Sequence, residues 1–317
     1  MLPSKPYTVH QYSNRAEWLD GRSNGIGASE AAVVLGVSKW QSPFALWARK
    51  RGIVGPSDQT EQQRWGLLME GAIAQWFAEE TGFTLSEENT SGCVLKSVRW
   101  PFMGCTLDRW IVPGLAGIEF DGIDGTFYEP FPLELKVCDA MVAHEWKKEP
   151  PLSYNIQLQY QMAITGAPVA CIAVCVGAKE GRWFPVVRND KFIARMIPRV
   201  QAFWQSVVDG VRPDVDGHET TRLALQEMFA PPQVGKRIEI PQPLLAVVEQ
   251  FDAATSMLAI AKERKEDAAN RIRLAMEDAE VAECPGGSGF TWKQDRGGKR
   301  SLKRVDKVPK ELSEVME

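Results

Sequence analysis

Pro132-Leu133-Glu134-Leu135-Lys136-Val137 is the stretch on which the fold turns. Apart from one acid and one base it is apolar, and that pattern predicts a short strand. In a strand alternate residues share a face, so Glu134 and Lys136 project together while Leu135 turns into the core. A carboxylate on such a strand is costly to bury unless it is paired or bound to a metal. A lysine beside it can hold and polarise a water next to that metal. Taken alone, the tripeptide reads first as a strand-edge ion pair, so its surroundings have to decide.

Upstream, Asp108 follows the apolar run Pro101–Leu107 (PFMGCTL), and a further strand intervenes before Glu134. Two carboxylates from neighbouring strands plus a lysine are the parts needed to bind Mg²⁺, lower the pKa of its water and stabilise charge at phosphorus. Glu70 is a fourth candidate, set on a helix among Leu67, Leu68, Ala72 and Ile73, where an unpaired acid would be expensive. The competing reading makes Glu70 an ordinary surface residue.

Outward from this centre the period of the sequence changes. Arg15–Leu35 reads as a helix, a Gly-rich turn and a second helix opened by Ser29 as N-cap. Pro43 starts another helix, and Trp65–Thr81 is a clear one, stopped by Gly82. Val94–Val98, Phe102–Leu107 and Trp110–Val112 look like strands, followed by the Gly/Asp-rich stretch GLAGIEFDGIDG. Helices over Tyr154–Thr165 and Asp190–Asp209 flank a buried strand at Val169–Val176. This is an α/β or α+β domain, a mixed sheet enclosed by helices. A Pro/Gly-rich shift at about 211–240 separates a core (1–215) from a C-terminal extension (216–317). The extension reads as a long helix or helical hairpin and a β-hairpin turning at Gly297-Gly298.

Composition bounds the chemistry. The 317 residues carry a net charge of -4, which gives no global sign of a nucleic-acid partner. Six cysteines lacking a CxxC pair, and only three histidines, argue against a zinc site and for a carboxylate-held hard cation, Mg²⁺ or Mn²⁺. No stretch reads as apolar for long enough to cross a bilayer, and the first residues lack a signal-peptide core, so a cytoplasmic protein with no membrane partner is the expectation.

Five blocks in order resemble the lambda-exonuclease or YqaJ-type viral recombination nucleases of the restriction-endonuclease-like PD-(D/E)xK superfamily: GRSNGIGASEAAVVLGVSKWQSPFALW, WGLLMEGAIAQWF, PFMGCTLDRW, LELK and SYNIQLQYQMAITG. The resemblance covers about residues 15–210 and implies a restriction-endonuclease-like core. It implies that Asp108 and Glu134 ligate catalytic metal with the Leu135 carbonyl, that Lys136 orients the nucleophilic water, and that Glu70 contributes to the metal site. Gln157 and Tyr154 would line it. Arg22 and Ser29, with Lys39 and Thr106 more loosely, would hold a terminal 5′-phosphate, where guanidinium and hydroxyl donors suit an anion. On bare residues, Ser29 is an ordinary N-cap and Arg22 a surface arginine. The family usually has Asp-Gly where this chain has Asp108-Arg109. Asp124-Gly125, ten residues before Glu134, is therefore a rival. Asp108 is preferred because its preceding strand matches the family, whereas turn chemistry alone explains Asp121-Gly122 and Asp124-Gly125.

The implied activity is a Mg²⁺-dependent 5′→3′ exonuclease on linear double-stranded DNA. It would resect ends beside a single-strand annealing protein, in a homotrimer that encircles DNA. An endonuclease or nickase, or a non-catalytic DNA-binding assembly protein, are the alternatives. Lys293, Arg296, Lys299, Arg300, Lys303, Arg304 and Lys307, interleaved with Phe290 and Trp292, read either as a backbone-binding ribbon or as a solvated hairpin.

Overall fold

The strand around Glu134 runs over Phe131–Cys138 (β8) inside a four-stranded mixed sheet. The computed structural model describes residues 5–55, 60–86, 92–231, 233–295 and 297–307. On one side β8 pairs in parallel with β9 (Val169–Val176); on the other it pairs antiparallel with β5 (Arg109–Ile111). β10 (Glu180–Val187), absent from the sequence reading, closes the edge beyond β9. β9, VACIAVCV, is buried along nearly its whole length, as a strand covered on both faces must be.

A parallel pair needs a crossover, and α5 (Leu152–Thr165) supplies it. From Ile156 to Thr165 every residue of α5 is buried, including three glutamines. Each finds partners. Gln159 donates to the Val187 carbonyl (2.8 Å) and accepts from Asn189 N (2.8 Å), while Gln157 and Gln161 turn to Glu134. The Tyr160 hydroxyl donates to the Ile26 carbonyl at 2.6 Å, tying α5 to a second sheet.

That second sheet has the order β1 (Tyr7–Gln11), β3 (Cys93–Ser97), β4 (Met103–Cys105), β2 (Ile26–Gly27). Asp108 occupies the step where the chain leaves β4 and enters β5. Before the sheet's edge strand comes α1 (Arg15–Ser23), and after it α2 (Ala28–Val34) and α3 (Pro43–Lys50). α6 (Asp190–Asp209) buries Ile193, Met196, Ile197, Val200, Phe203 and Val207, one stripe at helical spacing.

Several expectations need correction. α4 (Glu61–Thr81) starts earlier than Trp65, because Thr60 and Gln63 form a reciprocal capping box; Gly82 ends it in the left-handed conformation as expected. Its buried face is Ile73, Ala74 and Phe77, while Leu67, Leu68 and Ala72 are exposed. Of the apolar surroundings inferred for Glu70 only Ile73 is buried, and Glu70 itself is half-buried. The Gly/Asp-rich stretch is a hairpin, β6 (Ile118–Phe120) and β7 (Ile123–Phe127), turning at Asp121-Gly122. Phe120 pins it against Phe83, Phe127, Phe131 and Trp183.

The first compact unit extends over Met1–Pro232, beyond the expected boundary at 215. The reason is α7 (Glu219–Met228), which the Pro/Gly-rich composition of its flanks had masked. The Thr221 hydroxyl donates to Asp216 at 2.6 Å and meets the buried Ser42 hydroxyl, the N-cap of α3, at 2.7 Å. Ala224 joins the same core.

The second unit, Gln233–Glu317, contains one continuous helix, α8 (Leu245–Met276), not a helical hairpin. An antiparallel sheet of β11 (Val281–Glu283), β12 (Gly289–Gln294) and β13 (Arg300–Val305) follows. Within Gln242–Met276 an 18-residue window is, by length and composition alone, apolar enough to cross a bilayer, contrary to the sequence reading, although the helix continues into the charged run Lys262–Asp267. Isolated Glu249 and Asp252 among small residues had disguised the stretch.

Candidate active site

Glu134 is 3% exposed and uses both carboxylate oxygens. Oε1 accepts from the Lys136 ammonium and from Gln157 Nε2 at 2.6 Å; Oε2 accepts from Gln161 Nε2 at 2.7 Å. The strand alternation thus does place Glu134 and Lys136 on one face. Gln157 and Gln161 reach the same acid because residues four apart share a helix face. Gln161 was not singled out from sequence, although its spacing from Gln157 in an apolar helix was the available signal. Its Oε1 is buried without a hydrogen-bond partner.

Lys136 lies 5.6 Å from the centre of the Tyr154 ring. Burial alone would lower its pKa, but Glu134 and Asp108 prevail and raise it, so the ammonium is held in its charged form. Tyr154 is shifted upward, chiefly by burial.

Asp108 Oδ2 accepts from Leu135 N at 2.7 Å, which joins the β4–β5 step to β8 beside Glu134. Burial and the Glu134 charge raise its pKa to about 8, against the pull of Lys136 and the Leu135 hydrogen bond. Asp124 is exposed on β7, in the separate hairpin. Arg109, where the family usually has glycine, turns back to donate to the Asp108 carbonyl at 2.6 Å.

A buried carboxyl whose proton affinity is raised by a neighbouring carboxylate, as Asp108 is by Glu134, marks a site short of positive charge. The donors brought together here are oxygens only, the carboxylates of Asp108 and Glu134, with the backbone carbonyl of Leu135 the further ligand that the resemblance implies. Such a set fits a hard divalent cation such as Mg²⁺. Glu70 feels Lys136, Arg109 and Glu134, and its pKa is raised, mainly by burial. It does not complete a cage, since among the described residues no group of three or more His, Cys, Asp or Glu side chains is placed to hold a metal.

A second cluster surrounds the Gly-rich turn between α1 and α2. Gly25 abuts Phe102 so closely that a Cβ would lie 2.5 Å from its carbonyl oxygen. Arg22 stacks 4.5 Å from the Trp18 ring, and its Nη2 donates to Ser29 Oγ at 3.5 Å. Ser29 is not the N-cap of α2. Gly27 holds that position, with Glu30 accepting from its N–H at 2.8 Å, so the serine hydroxyl is not spent on capping. Arg22 and Thr106 line a cavity of about 20 Å³ with Gly21, Gly27 and Cys105, and Thr106 Oγ1 is buried with no hydrogen-bond partner. Lys39 does not line this cavity; it is exposed and ion-paired with Glu145 at 2.6 Å.

The basic ribbon of the second unit is thinner than its sequence suggests. Arg300 donates to the carbonyls of Glu277, Asp278, Ala279 and Trp292, closing the end of α8, and packs 3.6 Å from the Trp292 ring. Arg304 donates to Gly289 O and Ser288 and covers Phe290. These two arginines serve the fold. Lys293 and Lys303 point to the opposite face of the sheet, and Arg296 lies outside the described residues.

Residues 17–168 match the family model of the YqaJ-like viral recombinase domain. Over 272 residues the chain is 28% identical to the protein YqaJ of Bacillus subtilis (strain 168), covering 84% of this chain and 80% of that one. Among solved structures, an alkaline exonuclease from Laribacter hongkongensis aligns at 20% identity and a TM-score of 0.48, over 62% of this chain and 93% of that one. A phage related exonuclease from Haemophilus somnus 129PT aligns at 12% identity and a TM-score of 0.38, over 58% and 93%.

Proposed function

With residues 17–168 belonging to the YqaJ-like viral recombinase family, we propose that this chain is a Mg²⁺-dependent nuclease that degrades linear double-stranded DNA from its 5′ ends. The observation that carries the reading is the meeting of Asp108, from the β4–β5 step, with Glu134 and Lys136 of β8 around the buried Glu134 carboxylate.

Asp108, Glu134 and the Leu135 carbonyl would hold the cation. Bound there, magnesium supplies a water of lowered pKa and positive charge opposite the phosphorus centre. Gln157 and Gln161 fix the Glu134 carboxylate from behind. Lys136 stays protonated, so it is not the base; its remaining N–H groups can orient the attacking water and offset phosphate charge. Arg22, Ser29 and Thr106 would receive a terminal 5′-phosphate, which sets the end at which degradation begins. The homotrimeric ring and the single-strand annealing partner belong to the same proposal and rest on the family alone.

The test is incubation with linear duplexes and covalently closed circles of the same DNA, with Mg²⁺ and with chelator. Nucleotide release from linear DNA only, abolished by chelator and restored by Mg²⁺, is expected. Cleavage of closed circles would make it an endonuclease, and chelator-resistant activity would remove the metal.

A further inference from the structure

Beside the Arg22 cavity, outside its lining but joined to it through Gly27, lies a half-buried charged cluster that the proposed function leaves unused. Glu30 is 14% exposed and sits between two cations from the last turn of α3: Arg49 Nη2 donates to Oε1 at 3.2 Å, and Lys50 Nζ to Oε2 at 2.8 Å. Lys50 is 5% exposed and also donates to the Arg22 carbonyl at 3.0 Å. Arg49 is oriented further by Gln41 Oε1 at 3.2 Å, and at 32% exposed it is the cation of this pair that a ligand can reach. Gly27 shows how close the groups are. A Cβ there would stand 3.3 Å from Arg22 Nη2 and 3.5 Å from Glu30 Oε2.

The cluster is unbalanced. Arg22, Arg49 and Lys50 share one carboxylate, which leaves the cluster with a net excess of two positive charges. Glu134, whose charge also reaches Arg22, is paired with Lys136. Burying surplus charge is expensive unless an anion completes it. Two unbalanced charges match a phosphate monoester, which carries close to two negative charges at neutral pH, better than a phosphodiester, which carries one.

We propose that Arg49 is a second guanidinium of the end-binding pocket, and that Glu30 and Lys50 are positioning residues which hold Arg49 and the Arg22 backbone so that the site selects a dianionic terminal phosphate. The inference rests on the reading of Arg22 and Ser29 as a 5′-phosphate site. Arg49 contributes a fork of donors to the phosphate oxygens. Lys50, too buried to meet the ligand, contributes charge and fixes the loop.

The experiment measures initial rates of the full-length protein on matched linear duplexes with 5′-phosphate or 5′-hydroxyl ends. The readout is the ratio of the two rates within one preparation, which cancels any loss of folded protein. Arg49→Ala should lower the ratio about tenfold or more, the loss expected for one charge-assisted hydrogen bond, and weaken inhibition by inorganic phosphate to a similar degree. Arg49→Lys, retaining charge without the fork, should keep part of the preference. Glu30→Gln should lower the ratio although it makes the cluster more positive, the opposite of what charge alone would do. If Arg22→Ala erases the preference and Arg49→Ala keeps it in full, Arg49 has no part in the pocket and the proposal is wrong while the phosphate site stands. If the wild type itself shows no preference, the 5′-phosphate reading and this extension fall together.

Discussion

The placement of Asp108 shows how far single residues could be read. The alternation around Glu134 was legible because strand geometry is local, and Asp108 was legible because an apolar strand leads into it. What was not legible was how the helix behind them, itself expected, grips Glu134. Gln161 completes the hold on Glu134, yet in the sequence it is one polar residue among three in an apolar helix. Replacing Gln161 by Ala should lower the turnover number about tenfold or more, since a hydrogen bond to a buried charged group is lost; unchanged turnover would show that Gln157 alone holds the acid. Asp108→Asn should cost about a hundredfold or more in rate, as when a metal and its water are misplaced, and Asp124→Asn little. The reverse outcome would transfer the ligand role to the hairpin. Asp108 also links stability to pH. Its folded pKa of about 8 lies above the unfolded value of about 3.9. Folding is therefore penalised progressively as pH rises between those values, and the full cost is present above about 8. Without metal, Asp108→Asn should raise thermal stability at pH 8 by more than about 1 kcal/mol, the worth of one pKa unit, and by much less near pH 4. A stability gain independent of pH would break this linkage.

Elements were legible where their signals were local and lost where tertiary packing made them. α4 announced itself by its period and its Gly82 stop, and α5 by the Pro150-Pro151 pair before it; both helices end in left-handed glycine caps, Gly82 and Gly166. α7 is short and framed by Pro and Gly, so its reason for being helical lies in contacts with α3 that no local pattern displays. β10 is half-exposed and contains Gly181 and Pro185, which hid a strand that only pairing with β9 stabilises. A chain ending at 232 should therefore unfold cooperatively, and one ending at 215 should melt at a lower temperature, having lost the helix that bonds Ser42 at the start of α3. Thr221→Val, which leaves the Ser42 and Asp216 groups short of a partner, should cost about 1–3 kcal/mol. Equal melting of the two truncations would detach α7 from the core.

At the scale of the whole molecule, one buried helix serves both clusters from different faces of the same turns. Gln157 and Gln161 of α5 hold the acid of the proposed cleavage centre, and Tyr160 of the same helix holds Ile26 beside the Gly-rich turn. The acidic net charge of the chain is no obstacle, because the cations that matter are gathered locally around Arg22. Composition could not show that clustering, since Arg22, Arg49 and Lys50 come from two helices and converge only through Glu30. The central claim is that a metal held at Asp108 and Glu134 hydrolyses DNA progressively from the 5′ end. The most direct measurement follows release of label from matched linear duplexes tagged at the 5′-terminal or the 3′-terminal nucleotide, with Mg²⁺, for the wild type and for Glu134→Ala. The account expects the 5′ label to appear first with the wild type and no release with a folded Glu134→Ala protein; early release of the 3′ label, or near-normal release by that variant, would contradict it.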